Sequence, residues 1–174
     1  LSEAVTTNWA VKNVAQGIVI LDDTRTENRD PIPSIQDVQT LLQIAKGKAE
    51  HDNRFSKNWM RYYTLFTLMA GSGLRPCEVA GLPWKSVNFE SNAIHVTQDL
   101  NEDLTVGRLK SRSAYRTIPI SANVMTLLKR WKLICPKGPH KLVFPNWKGN
   151  PESFSNVSSR GWKPLQIEAG LIQK

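Results

Sequence analysis

Ala70-Gly71-Ser72-Gly73-Leu74-Arg75-Pro76-Cys77-Glu78-Val79-Ala80-Gly81-Leu82-Pro83-Trp84 is the stretch on which the reading of this chain turns. The glycines around Ser72 stop a helix, and Pro76, whose fixed φ and missing N–H suit a first turn, opens another. Arg75 therefore stands between a glycine turn and a helix start, a placement that sets a guanidinium beside free backbone N–H donors. Planar donors of this kind can hold two nonbridging oxygens of a phosphate whose charge grows in a transition state. The competing structural reading is an ordinary i,i+3 ion pair between Arg75 and Glu78.

Upstream of this stretch, residues 58–70 carry Trp59, Tyr62, Tyr63, Leu65, Phe66 and Met69 at helical spacing and read as a largely buried helix. Before it, Ser34 followed by Asp37 resembles a capping arrangement, and Ile35, Val38, Leu41, Leu42, Ala45 and Ala49 continue an amphipathic helix to residue 50. Residues 19–33, rich in Asp, Arg and Pro, read as an extended linker. Residues 1–18 are too few to fold alone and read as the end of a preceding helical unit, so the domain proper is expected to span 34–174.

Downstream of Trp84 the pattern changes to short β-rich pieces at 93–97, 104–109 and 115–120, which predict a small three-stranded antiparallel sheet. Ser121 caps a helix in which Val124, Leu127, Leu128 and Trp131 share a face, residues 142–144 are extended, and a last helix covers 153–169. The fold class is α+β, mainly helical. The segment Gly107-Arg108-Leu109-Lys110-Ser111-Arg112-Ser113-Ala114-Tyr115-Arg116-Thr117-Ile118-Pro119-Ile120 reads as a hairpin whose turn carries Lys110 and Arg112. An ammonium on such a turn can protonate an alkoxide leaving from phosphorus; taken alone, the same lysine and arginine would serve as edge-strand protection.

The net charge of +8 is unevenly placed. Residues 1–103 hold 10 basic and 13 acidic side chains, a balance of −3, so residues 104–174 carry +11. No acid occurs between Asp103 and Glu152. Such a run favours a polyanion, because each neutralised phosphate releases counterions; Arg108, Arg112 and Arg116 are the candidate DNA contacts. No apolar run approaches the ~20 residues of a membrane span, and the opening residues show no secretory signal. Cys77 and Cys135 stand far apart, and His51, His95 and His140 have no metal-ligand spacing. These features suggest a soluble protein of a reducing compartment, cytoplasmic and nucleoid-associated.

Taken together and in this order, the two segments resemble the catalytic domain of the tyrosine recombinase, or phage integrase, family. Residues 73–84 match Gly-Leu-Arg-x-x-Glu-x-x-x-Leu-x-Trp, and residues 109–120 match Leu-Lys-(Thr/Ser)…Arg-x-Ile-Pro-(Ile/Leu). The resemblance implies the tyrosine recombinase fold for 34–174 and the end of a core-binding domain for 1–18. It also implies site-specific recombination or integration of duplex DNA through a 3′-phosphotyrosyl intermediate, with no metal or nucleotide cofactor. Arg75 would stabilise the scissile phosphate, Lys110 would protonate the 5′ leaving oxygen, and Glu78 would support Arg75. The sequence departs from the family at Lys85-Ser86, where an acidic residue is common, and shows no His-x-x-Arg box or tyrosine after it. Tyr62 and Tyr63 read as helix core and Tyr115 lies on the hairpin. The chain alone is therefore expected to bind DNA as a monomer with little or no cleavage, the complete recombinase being a tetramer on DNA. The alternatives are a noncatalytic duplex-binding remnant and a generic helical nucleic-acid or partner-binding module.

Overall fold

A computed structural model describes residues 33–51, 55–109 and 111–173. The expected core-binding end at 1–18, the linker as far as residue 32, and Lys110 lie outside the described residues. From Pro33 onward the chain forms one compact unit.

Helix α1 spans Ile35–Glu50 and begins with a complete capping box. The Ser34 hydroxyl accepts the Asp37 N–H at 3.1 Å, while the Asp37 carboxylate accepts the Ser34 N–H at 2.8 Å, satisfying two donors that a helix start would otherwise leave open. Leu41, Ala45 and Ala49, four residues apart, form its buried stripe against helix α2, Ser56–Ser72. Ile35 keeps to the same helical spacing yet is exposed; with Val38, Met69, Phe154 and Trp162 it lines an open apolar groove. Along α2, Tyr62, Leu65, Phe66 and Leu68 are buried, and Phe66 meets the edge of Trp162 at 5.0 Å between ring centres.

Gly73 ends α2 in the left-handed conformation, φ 64°, and donates its N–H to the Met69 carbonyl. Leu74 is buried behind it, and the short helix α3, Pro76–Ala80, follows. Gly81 then lets the strand β3, Gln98–Leu100, approach: a Cβ there would collide with the Asp99 carbonyl carbon and lie 2.7 Å from the Leu100 nitrogen.

The predicted β pieces exist, but two of their pairings differ from expectation. The three-stranded antiparallel sheet has the order β1 (Val87–Asn88), β2 (Ala93–Val96), β5 (Arg116–Pro119). The piece expected at 104–109 is strand β4, Val106–Arg108, and it pairs with β3, Gln98–Leu100, in a separate two-stranded ribbon. Residues 107–120 are therefore not a hairpin. Strand β4 pairs back to β3 and β5 pairs back to β2, with a 3₁₀ turn at Arg112–Ala114 between them. Alternation in the sequence marks where a strand can lie but not which neighbour it takes.

Helix α4, Ala122–Ile134, is capped by the Ser121 hydroxyl and buries Val124, Met125, Leu127, Leu128 and Trp131. The Trp131 indole N–H donates to the Val143 carbonyl at 2.6 Å. The last helical run is divided where one helix was expected: α5, Phe154–Val157, a π-turn at Ser158–Trp162, and α6, Lys163–Glu168. Pro164 accounts for the widening, since its ring lacks an N–H and crowds the carbonyl of the preceding turn. Arg61 on α2 reaches this region from inside the molecule. Its side chain is 3% exposed, pairs with the Glu152 carboxylate at 2.6 Å and donates to the Phe144 carbonyl at 3.2 Å. No helix among the described residues is long and apolar enough to cross a membrane.

Candidate active site

The turn at Gly73 and the buried Leu74 fix the chain direction into Arg75, whose backbone is extended at φ −69°, ψ 151°. The following Pro76 favours that extended conformation. The Arg75 side chain is 69% exposed, whereas Glu78, one turn into α3, has a side chain only 1% exposed. The free backbone N–H donors expected beside Arg75 are not found there. The Arg75 N–H is not free for a ligand, because it donates to Glu78 Oε2 at 2.8 Å, and Pro76 has no N–H to offer.

The i,i+3 pair that the structural reading of Arg75 expects is present, with Glu78. Its carboxylate lies 3.6 Å from the Arg75 guanidinium, a loose pair. The tight partner is Arg116 at the start of β5, which donates Nη1 to Oε1 at 2.7 Å and Nη2 to Oε2 at 2.8 Å. Two parallel charge-assisted bonds of this kind are the strong form of an arginine–carboxylate contact. The hydrogen bond from Arg116 is the main reason that Glu78 is held below the usual carboxylate range; burial opposes it, and the Arg75 N–H and the charges of both arginines add to it. Reciprocally, the bond to Glu78 pushes Arg116 further up. Because Arg116 meets the carboxylate in both branches, the Arg75 guanidinium is left facing solvent.

Beside it lies a polar concavity of about 300 Å³ lined by Gly73, Arg75, Ser111, Ser113, Ala114 and Arg116. The Ser111 and Ser113 hydroxyls are 2.9 Å apart and exposed. Arg112 stands exposed in the 3₁₀ turn, and Arg108 is exposed on β4. Of the residues singled out from sequence, Arg75, Glu78 and Arg116 are brought together, Arg112 borders them, and Lys110 is outside the described residues. Ser111 and Ser113 were not among the sequence candidates, although their position on a turn between basic residues was a usable signal. Tyr62 is buried in the helical core, with its hydroxyl pushed up chiefly by desolvation, while Tyr63 is half-buried and Tyr115 is exposed.

The chain is similar to known proteins. The tyrosine recombinase XerC of Xylella fastidiosa (strain 9a5c) is 28% identical over 101 residues, covering 58% of this chain and 30% of XerC. Among solved structures, the Tn1549 transposon integrase in complex with a circular intermediate DNA superposes with a TM-score of 0.65 at 19% identity, over 95% of this chain and 54% of that one. XerA recombinase gives a TM-score of 0.60 at 17% identity, over 85% of this chain and 45% of XerA. At such identities the structures establish the fold, and this chain spans about half of their length or less. The description of the phage integrase family matches residues 34–173, from the α1 cap through the last helical run, and the chain belongs to that family.

Proposed function

We propose that this chain is the Arg75-bearing part of the catalytic domain of a site-specific DNA recombinase, acting on duplex DNA by transesterification through a 3′-phosphotyrosyl intermediate. The observation that carries the reading is the division of labour at Glu78: Arg116 neutralises the carboxylate, so Arg75 keeps an exposed guanidinium beside a polar concavity. A scissile phosphate in that concavity would gain two planar donors aimed at nonbridging oxygens, where charge accumulates as a tyrosine attacks. Lys110, next in the chain to Ser111, would supply the proton that the departing 5′ oxygen needs. Arg108 and Arg112 would track neighbouring phosphates.

The experiment is covalent trapping on a nicked duplex from which the short fragment bearing the freed 5′ hydroxyl diffuses away, comparing the 174-residue chain with its gene's complete protein. The reading predicts that both bind duplex DNA and that a DNA adduct resistant to denaturation forms with the complete protein. Duplex binding with no adduct from either would make the protein a noncatalytic DNA-binding relative. Failure to bind duplex at low salt would refute the reading altogether.

A further inference from the structure

We infer that Arg116 is a positioning residue for Arg75 and not a DNA contact: by clamping the Glu78 carboxylate it locks the start of β5 and the serine-bearing turn against the segment that presents Arg75. This rests on the function proposed above and departs from the simplest reading of a basic run, in which each cation meets a phosphate.

Three features of the structure carry it. First, three of the five N–H donors of Arg116 are already committed: Nη1 serves Glu78 Oε1 at 2.7 Å and the Ala114 carbonyl at 3.2 Å, and Nη2 serves Glu78 Oε2 at 2.8 Å. Turning the guanidinium toward a phosphate would leave Glu78, 1% exposed, as an unpaired buried charge. Second, the contacts span the site. The same carboxylate accepts the Arg75 N–H, while the Ala114 carbonyl belongs to the turn whose Ser111 and Ser113 line the concavity. Arg116 and Glu78 thus form a hydrogen-bonded bridge between the Arg75 segment and the serine-bearing turn, and the Arg116 backbone is anchored by pairing with Val96 at the end of β2. Third, lysine could not substitute. A single ammonium cannot span two carboxylate oxygens in plane and also hold the Ala114 carbonyl, whereas a DNA phosphate contact would tolerate it as a point charge.

The test uses the complete protein, with Arg116→Lys and Arg116→Gln alongside Glu78→Gln and the double variant Arg116→Gln/Glu78→Gln. Duplex affinity is measured across a salt series, and single-turnover cleavage is measured at saturating DNA on the nicked duplex. The inference predicts that Arg116→Lys binds duplex within about twofold of the parent, with an unchanged salt slope, and cleaves at least tenfold more slowly. It also predicts that the double variant cleaves no more slowly than the worse single variant, as expected when two residues act as one unit. Circular dichroism at the assay temperature keeps the comparison to folded protein, and Arg116→Lys carries the decision if Arg116→Gln does not fold. A salt slope lower by about one for Arg116→Gln, with normal cleavage by Arg116→Lys, would make Arg116 a phosphate contact and overturn the inference. Normal cleavage by every Arg116 variant, with the parent active and Arg75→Ala inactive, would overturn it while leaving the proposed function standing. A parent that forms no adduct would overturn both.

Discussion

Replacing Glu78 by glutamine removes one charge from a group whose side chain is 1% exposed and which accepts three hydrogen bonds, two from Arg116 and one from the Arg75 N–H. The amide keeps one acceptor oxygen and turns its NH₂ toward a donor, so at least one of these bonds is lost and Arg116 is left without its counter-charge. Breaking a buried pair by removing one partner costs about 3–5 kcal/mol. The Arg116 side chain retains 33% exposure, so water takes up part of its charge and the expected loss is about 2–3 kcal/mol. For a domain of this size that lowers the thermal midpoint by roughly 5–10 °C. Urea unfolding of the 174-residue chain, followed by circular dichroism from pH 7 down to pH 3, measures both the size and the pH dependence. Because the folded-state pKa of Glu78 is depressed, its contribution is complete above the unfolded carboxyl value near ~4.3 and is lost as pH falls through the lower folded value. The gap between parent and variant should hold steady from neutral pH to about pH 5 and narrow progressively as pH falls below the unfolded carboxyl value. A gap under about 0.5 kcal/mol at pH 7, within the range of an ordinary surface change, or one that widens on acidification, would refute the reasoning.

Gly81→Ala is expected to destabilise the chain by about 1–3 kcal/mol, because the added methyl meets the backbone of β3 at Asp99 and Leu100 and not a movable side chain; unchanged urea unfolding would show that the ribbon can shift freely. Glu152→Gln should cost about 2–4 kcal/mol by leaving Arg61, 3% exposed, without its anion, and the loss should persist in 0.5 M salt, which a screened surface pair would not do. In the complete protein, Lys110→Ala should slow cleavage of ordinary DNA strongly and recover on a substrate with a better 5′ leaving group. Equal slowing on both substrates would remove the proton-donor role.

Local chemistry was legible in the sequence wherever one short segment determines the outcome. The Ser34–Asp37 capping box, the helix stop at the glycines around Ser72, Pro76 at a helix start and the Ser121 cap each depend on neighbours within a few residues, and each is found as expected. Pairing across the chain was less legible. Strand β3 is three residues long with the polar sequence Gln-Asp-Leu, so it carried no strand signal, and without it β4 was assigned to the wrong partner. The π-turn escaped because the apolar spacing around it is helical and only Pro164, which brings no N–H to the run, marks it. At the candidate site, Arg75 and Glu78 stood out together because they share one motif. The bond that organises them comes from Arg116, 38 residues away, and only the fold brings it into reach. That bond also shows what a basic run leaves open residue by residue: charge gives how many cations are present, while burial and partners decide which of them are already paired.

In the proposed reaction the exposed Arg75 guanidinium acts on the scissile phosphate. Its most direct test is single-turnover cleavage of a nicked duplex by the complete protein carrying Arg75→Ala, with duplex affinity measured on the same preparation. Loss of a charge-stabilising donor used only in the transition state predicts cleavage slower by roughly a hundredfold or more, with affinity nearly unchanged because the remaining cations still hold the backbone. Adduct formation by Arg75→Ala at close to the parent rate would contradict the account.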